Sequence, residues 1–290
     1  MTGPDEDGLP RAPLEATAAG LAYGEWHGGE PAIVLAHGVS SNHRAFLEVA
    51  PHLAPCHRVI ALDLRGRGRS RRDGPFGVDR HGEDIAQVCD ELELERPVLV
   101  GHSLGAFACL LAAVRMGGRI GGLVLLDAGL VPPLPMPLAA VRALLPASVG
   151  RLGRRFASLL EYAAYWEEAT GRPQTATRLS QSARDLIGEP GAYVCATTEE
   201  AFDDDLRSVL SHPGGIALLA RVHAPLLLVR AGGGMTGDGS SSLVPPELVV
   251  IARGLAPAML VAELPAASHF DMLEAENAAA VARLVAEIAA

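Results

Sequence analysis

The sequence contains no apolar run that approaches the roughly 20 residues needed for a membrane-spanning helix. Its first residues, Met1 to Asp7, are acidic and rich in turn formers, which is the opposite of a signal peptide. Positive charge is in deficit, and the net charge of −10 and the pI near 5.5 argue against a nucleic-acid surface. We therefore expect a soluble, cytoplasmic protein with neither a membrane nor a nucleic acid as its partner.

Cysteine is also sparse, with four residues spread along 290 and no C-x-x-C spacing. Cys56, Cys89, Cys109 and Cys195 are interpreted as small core residues of a reduced protein rather than a disulfide frame or a metal site. The one basic run, Arg65–Arg72, is interpreted as a loop whose arginines are solvated or paired with carboxylates. Neither a metal nor another cofactor is expected.

What the sequence does contain is the pattern Gly101-His102-Ser103-Leu104-Gly105, between two apolar segments. The run 97–100 before it is typical of a buried strand, and the run 106–114 after it is typical of a helix. Strand, Gly-x-Ser-x-Gly, helix is the order of a nucleophile elbow, a tight turn that requires small flanking residues and exposes the serine hydroxyl. Ser103 is therefore the predicted nucleophile.

Alternating strands and helices predict an α/β fold with a mostly parallel, doubly wound sheet that binds ligands at the carboxyl ends of its strands. Residues 130–223 interrupt the alternation with prolines and helical stretches, and no run in them resembles a sheet strand. Such a length exceeds an ordinary crossover, so we interpret it as an inserted helical cap. The expected core is 14–129 with 224–290, and 1–13 is a flexible leader. The predicted sheet strands are 14–18, 21–26, 32–36, 58–63, 97–100, 122–127, 225–230 and 258–262, and the predicted helices include 46–53 and 246–254.

A serine hydroxyl needs a base within hydrogen-bonding reach, and position along the chain selects one of ten histidines. His269 follows the last predicted strand, at the sheet edge where Ser103 emerges, and is the candidate base. His102 is the neighbour of the serine in the turn, and its side chain is expected to point away from the site.

The base needs a carboxylate partner, which in this chain order falls between the serine and the histidine. Asp127 directly ends the strand after the elbow helix and can point along the sheet edge. Asp238 lies in a glycine-rich loop after the penultimate strand, which is the commoner position, but it comes late in that loop. Asp127 is favoured and Asp238 is the alternative acid, while Glu263 and Asp271 are minor candidates.

An oxyanion formed by attack on an ester carbonyl needs preorganised N–H donors. The amide of Leu104, at the start of the elbow helix, is one predicted donor. The other is predicted in the loop His37-Gly38-Val39 after the first central strand. There the amide of Val39 would donate, and Gly38 would let the backbone approach the substrate.

With these motifs assembled, the chain resembles the α/β-hydrolase superfamily over about residues 20–290. The motifs that carry the resemblance are His37-Gly38, Asp63–Ser70, the elbow, and Ser268-His269-Phe270. The resemblance implies a Ser–His–Asp hydrolase with a cap of the kind seen in epoxide hydrolases and meta-cleavage-product hydrolases. Epoxide hydrolases and haloalkane dehalogenases have aspartate at the elbow, so the serine here disfavours their reactions.

The favoured function is hydrolysis of an ester, lactone or thioester of a small, largely hydrophobic molecule through an acyl-enzyme on Ser103. Gly38, His102 and Trp166 are the candidate substrate-binding residues. One alternative is a ligand-sensing protein of this fold with little turnover. Another is C–C bond hydrolysis of the meta-cleavage-product type, which needs a cationic anchor for a carboxylate. The cap arginines considered for that anchor are Arg142, Arg151, Arg154, Arg155 and Arg178. A homodimer is left open.

Overall fold

The computed structural model describes residues 13–130, 137–235 and 242–290. The strands are β1 (Leu14–Ala18), β2 (Leu21–Trp26), β3 (Ile33–Ala36), β4 (Val59–Leu62), β5 (Val98–His102), β6 (Gly122–Leu126), β7 (Leu186–Ile187), β8 (Val194–Cys195), β9 (Leu226–Ala231) and β10 (Leu260–Leu264). The α-helices are α1 (Ala50–Leu53), α2 (Val78–Glu91), α3 (Leu104–Met116), α4 (Leu138–Ala143), α5 (Pro146–Gly150), α6 (Leu159–Thr170), α7 (Ala176–Asp185), α8 (Glu199–Ser211), α9 (Pro246–Leu255) and α10 (Ala275–Ala289). Short 3-10 turns lie at His43–Phe46, Gly117–Arg119 and Gly215–Arg221.

Eight strands form one sheet in the order β1-β2-β4-β3-β5-β6-β9-β10. Only the pairs β1–β2 and β2–β4 are antiparallel, and every other neighbouring pair is parallel. The central strands are uninterrupted apolar runs because a parallel sheet is covered on both faces. The predicted mostly parallel sheet is confirmed.

Helices cover both faces of the sheet and bury two separate apolar cores. Residues of α2, α3 and α9 pack on one face. Residues of α1 and α10 pack on the other. This is the doubly wound arrangement, in which the carboxyl ends of the parallel strands meet at one edge and form the floor of a site.

Two predicted elements differ from the observed ones. The expected helix over 46–53 is a 3-10 turn followed by the four-residue α1. Pro51 has no backbone N–H and therefore fits only in the first turn of a helix, so the helix starts immediately before it. The last strand begins at Leu260 rather than at 258, because the preceding residues form a turn.

The segment between β6 and β9 contributes α4 to α8 and a small core of its own, around Phe156, Tyr162, Leu186 and Cys195. It also contains a two-stranded hairpin, β7–β8, so the expectation of no strand there is wrong. Strands of two residues are too short to produce a recognisable alternation in sequence. The division into a core and a cap of 130–223 stays a prediction, and residues 1–12 of the expected leader lie outside the described part of the chain.

The four cysteines are free. Cys89, Cys109 and Cys195 are buried as expected, whereas Cys56 is exposed in the turn after α1, so its assignment to the core is wrong. None of the described helices combines the length and the apolar character needed to cross a membrane.

Candidate active site

Ser103 occupies the turn between β5 and α3, with φ 56° and ψ −121°. A residue with a side chain rarely adopts a positive φ. The contacts of the two flanking glycines explain how the chain forms this turn. A Cβ at Gly101 would lie 2.1 Å from the Gly105 carbonyl oxygen, and one at Gly105 would lie 2.1 Å from the Ala36 oxygen. Neither position has room for a larger residue, so the serine stands at the apex of a turn that only glycine can flank.

The structure brings His269 and Asp127 together across the sheet edge. His269 Nδ1 lies 2.9 Å from Asp127 Oδ2, and both side chains are buried. Because a carboxylate only accepts, Nδ1 carries the proton and Nε2 is left as an acceptor. The other oxygen, Asp127 Oδ1, accepts the backbone N–H of Ala231 at 3.0 Å. Asp238, the alternative acid, lies outside the described residues.

Ser103 and His269 line the same cavity, which has a volume of about 150 Å³. Within the described residues, no hydrogen bond joins Ser103 Oγ to the imidazole. Such bonds are often long in a free enzyme and tighten when substrate binds. Gly38 also lines the cavity and passes close to the serine, so that an added Cβ would lie 3.0 Å from Ser103 Cβ.

The two predicted oxyanion donors belong to Leu104, which follows Ser103 in the chain, and to Val39, which lines the cavity. Leu104 is the first residue of α3, where backbone N–H groups have no partner within the helix. The peptide of Val39 is held by the buried Arg67, whose Nε donates to the Val39 carbonyl at 3.1 Å. Among the described residues, neither the Val39 N–H nor the Leu104 N–H has a hydrogen-bond partner.

His37 fixes the loop that carries Val39. Its Nδ1–H donates to the Gly38 carbonyl at 2.7 Å, and its Nε2 accepts the N–H of Leu64 at 3.0 Å. Burial lowers the pKa of His37 to about 3, so the ring is neutral at physiological pH. Sequence reasoning placed His37 in this loop without finding its role, because both of its partners are backbone groups.

His102 does not point away from the site, so that expectation is wrong. Its ring stacks on His269 with centroids 4.5 Å apart, and its Nε2–H donates to the His269 carbonyl at 3.0 Å. Burial lowers the pKa of His102 well below its usual range, which keeps the ring uncharged beside the candidate base. The candidate binding residues Gly38, His102 and Trp166 all line the cavity.

Three arginines of the basic run, Arg65, Arg67 and Arg71, pair with carboxylates, whereas Arg69 and Arg72 donate only to backbone carbonyls. Arg65 forms two hydrogen bonds of 2.7 Å with Asp84, and Arg67 pairs with Asp205 of α8. Both guanidinium groups are almost fully inaccessible. A buried charge has to be paired, and these two ion pairs hold the loop against α2 and α8. The loop is therefore part of the packed structure rather than a basic surface.

The helices α5, α6 and α7, in the segment between β6 and β9, supply a large part of the remaining cavity wall. Three lining residues carry charge near the base: Arg172, Arg178 and Glu274. Arg178 was among the sequence candidates, whereas Arg172 and Glu274 were missed because no motif marks them. Among the described residues, no cluster of histidine, cysteine or carboxylate side chains is suited to hold a metal ion.

Comparison with known proteins supports this picture at the level of the family. Among curated proteins, the magnesium-chelatase 30 kDa subunit of Rhodobacter capsulatus is 29% identical over 217 residues, which cover 70% of each chain. A probable alcohol acetyltransferase of Wickerhamomyces anomalus is 27% identical over 110 residues, which cover 37% of this chain. The chain thus spans 31% of the length of that second relative.

Solved structures agree on the fold. E-2-(acetamidomethylene)succinate hydrolase superposes with a TM-score of 0.80 at 21% identity, covering 95% of this chain and 98% of that one. An esterase from Mycobacterium tuberculosis gives 0.74 at 21% identity, covering 99% and 92%. The model of the alpha/beta hydrolase fold family matches residues 31–276. Since that match spans most of the sequence, the chain belongs to the α/β-hydrolase family.

Proposed function

We propose that this protein is a serine hydrolase that cleaves an ester, lactone or thioester through an acyl-enzyme on Ser103. Membership of the α/β-hydrolase family supports hydrolase activity in general terms. The observation that carries the finer proposal is the bond of 2.9 Å between His269 and Asp127 in the wall of the cavity that Ser103 lines. This arrangement supports the assignment of Ser103 as the nucleophile, His269 as the base and Asp127 as the orienting acid.

In the first half-reaction, Ser103 Oγ attacks the carbonyl carbon while its proton passes to His269 Nε2. The C–O or C–S bond of the substrate then breaks, and the leaving group takes that proton. The carboxylate of Asp127 stabilises the imidazolium that exists between these two steps, and it stays ionised throughout. The acyl group is left as an ester on Ser103.

In the second half-reaction, a water molecule attacks the acyl-enzyme and gives its proton to His269. The bond between the acyl carbon and Ser103 Oγ breaks, the serine recovers the proton, and a carboxylic acid leaves. In both halves, the N–H groups of Val39 and Leu104 donate to the oxyanion. Removal of one such donor typically costs about 100- to 1,000-fold in kcat.

The substrate is small, because the cavity volume is about 150 Å³. Apolar side chains of Val39, Leu145, Trp166 and Leu273 line part of the wall and suit a short hydrocarbon segment. The proposed substrate is therefore a small acyl compound with a partly hydrophobic body.

The experiment is a kinetic comparison on a short 4-nitrophenyl ester. We expect Ser103→Ala and His269→Ala to abolish the burst of 4-nitrophenol. Asp127→Asn should lower kcat by roughly 10⁴-fold, because a neutral amide favours the wrong tautomer of the base. Asp238→Asn is the matched control and should stay within about twofold of the wild type.

Two results would overturn the proposal. A large loss in Asp238→Asn with little loss in Asp127→Asn would move the acid to the glycine-rich loop. Stabilisation of the folded protein by small acyl compounds, without any turnover or burst, would instead favour the ligand-sensing alternative.

A further inference from the structure

The cavity wall beside the base carries three charged side chains from different elements. Arg172 follows the end of α6, Arg178 lies in the first turn of α7, and Glu274 directly precedes α10. All three line the cavity and are only partly exposed. Two positive charges therefore face one negative charge at this part of the wall.

Arg178 is fully engaged and neutralises Glu274. Its Nε lies 3.2 Å from both carboxylate oxygens, and its Nη2 also donates to Oε2. Its Nη1 donates to the backbone carbonyl of Pro173. With all three nitrogens occupied and the carboxylate bound at both oxygens, this pair contributes no net charge to the cavity.

Arg172 is engaged through a single nitrogen. Its Nη2 donates to the Phe270 carbonyl at 3.0 Å and to Glu274 Oε2 at 2.8 Å. Among the described residues, its Nε and Nη1 have no hydrogen-bond partner, and neither is a buried orphan atom. The side chain is 20% exposed, so these donors remain accessible.

Of the other carboxylates nearby, Asp271 attracts Arg172 electrostatically, but from outside the cavity lining. Asp185 lines the cavity but is paired with the buried Arg151 at 2.6 Å. Asp271 is absent from the lining, and its Oδ1 accepts the N–H of Ser268 at 2.7 Å. A guanidinium stays protonated in proteins, so among the charged residues that line the cavity beside the base, two arginines share the one carboxylate of Glu274 and leave an excess of positive charge.

Arg172 lies next to the proposed base. The carbonyl that Arg172 binds belongs to Phe270, the residue that follows His269, and the guanidinium lies over the Phe270 ring at 5.9 Å. A group bound by Arg172 would therefore lie close to the acyl group that reacts at Ser103.

We propose that the substrate carries a carboxylate, and that Arg172 binds this carboxylate through its free nitrogens. The inference rests on the proposed acyl hydrolysis and adds the class of substrate, an acyl compound with an anionic end group. Arg172 is the specificity-determining residue, Arg178 keeps Glu274 neutralised, and the apolar part of the wall accommodates the short body between the two ends.

The test compares two esters that differ only in charge: the mono-4-nitrophenyl ester of glutaric acid and the same compound with its free carboxyl methylated. After subtraction of the spontaneous rates, we expect the wild type to prefer the anionic ester in kcat/KM by about tenfold or more, the scale of a charge-assisted hydrogen bond. In Arg172→Gln the preference should disappear, because the loss in kcat/KM should be larger for the anionic ester than for the methylated one.

Glu274→Gln should strengthen the preference for the anionic ester, because both arginines would then lack the carboxylate of Glu274. Arg154→Gln is the matched control, since this cap arginine does not line the cavity and should leave the ratio unchanged. An equal rate on both esters, or a preference that survives Arg172→Gln, would overturn the inference while leaving the acyl hydrolysis intact.

A binding measurement distinguishes failure of the carboxylate site from failure of the proposed acyl hydrolysis. Calorimetric titration of Ser103→Ala with monomethyl glutarate should give binding that is absent with dimethyl glutarate and lost in the double variant with Arg172→Gln. If neither ester is cleaved but this pattern holds, the carboxylate site stands and the proposed reaction falls. Absence of binding alongside turnover of the methylated ester refutes the carboxylate site alone.

Discussion

At the scale of single residues, the elbow depends on how little space surrounds its glycines. The carbonyl of Ala36 ends a neighbouring strand and passes so close to Gly105 that a Cβ there would lie 2.1 Å away. Real Cβ atoms do not approach an oxygen this closely, so the backbone itself would have to move. The serine turn and the strand beside it can pack this closely only because Gly105 has no side chain.

A substitution at this position should therefore damage both stability and activity. We expect Gly105→Ala to lower the free energy of unfolding by more than about 2 kcal/mol, as overpacking of a rigid site does. Gly254→Ala is the control, because nothing lies within 4 Å of its Cβ position in α9. There the alanine should raise stability by up to about 1 kcal/mol. Urea unfolding measures the free energy of unfolding of both variants. Equal changes in Gly105→Ala and Gly254→Ala would show that the space around Gly105 is not limiting.

The buried histidines should make the protein sensitive to mild acid. The folded pKa of His37 is about 3, compared with 6.5 for an unperturbed ring, and that of His102 is also lowered. Between pH 3 and pH 6.5 the unfolded chain binds a proton at His37 that the folded chain does not bind. Stability is therefore complete above pH 6.5 and falls as the pH decreases toward 3.

His37 contributes a slope of about 1.4 kcal/mol per pH unit below pH 6 and His102 adds to it, so the wild type should show at least this slope. Urea unfolding of the wild type at pH 7.5, 6.5, 5.5 and 4.5 measures it. His27→Gln is a suitable control, because this side chain is 71% exposed and its loss should leave the slope unchanged. A free energy of unfolding that stays flat over this range would show that these rings are not held neutral.

At the scale of elements, α7 is tied to the core rather than free to swing. Asp63 follows β4 and accepts from His43 at 2.9 Å and from Arg184 of α7 at 2.9 Å. Arg69 donates to the carbonyls of Arg184 and Leu186 at 2.7 and 3.0 Å, where a cation also suits the carboxyl end of a helix. The wall of the cavity formed by α7 is therefore fixed.

Loss of the carboxylate should release this helix. We expect Asp63→Asn to cost about 3–5 kcal/mol of folding free energy, because the buried Arg184 would lose its buried counter-charge and keep only the more exposed Glu15. Asp73→Asn is the control, since Asp73 pairs with Arg71 at the surface and should contribute little. Thermal unfolding together with limited proteolysis of α7 measures the effect. Unchanged protection of α7 in Asp63→Asn would show that the clamp does not depend on this charge.

Long elements and elements with distinctive residues could be predicted from the sequence, whereas very short elements could not. The buried strands and the elbow could be predicted because long apolar runs and paired glycines have few structural solutions. Asp127 could be favoured because it directly ends a strand. The hairpin β7–β8 could not be predicted, since strands of two residues have no visible period. Arg172 was missed because its importance comes from contacts with Phe270 and Glu274, about 100 residues further along the chain.

At the scale of the whole molecule, two buried arginine–carboxylate ion pairs join the segment after β6 to the loop that follows β4. Arg184 reaches Asp63 from α7, and Asp205 reaches Arg67 and His81 from α8. Because both pairs are shielded from water, salt screens them only weakly. The predicted cap and the core should therefore behave as one cooperative unit, although the cap has a small core of its own.

The two tryptophans of the chain test this cooperativity, because Trp26 lies in β2 and Trp166 lies in α6. We expect the urea transitions of Trp26→Phe, which reports on α6, and of Trp166→Phe, which reports on the sheet, to coincide once corrected for each variant's stability by circular dichroism. Raising the salt concentration should not separate them. A fluorescence transition of Trp166 that precedes loss of the far-ultraviolet signal would show a cap that unfolds independently.

The most direct measurement is covalent labelling of the folded protein with a serine-reactive fluorophosphonate, followed by mass spectrometry of the modified peptide. The proposed chemistry predicts one adduct per chain on Ser103, none in Ser103→Ala, and labelling slowed by at least about 1,000-fold in His269→Ala and Asp127→Asn. Asp238→Asn should label at the rate of the wild type. An unlabelled Ser103 in folded protein, or full-rate labelling in Asp127→Asn, would contradict the account.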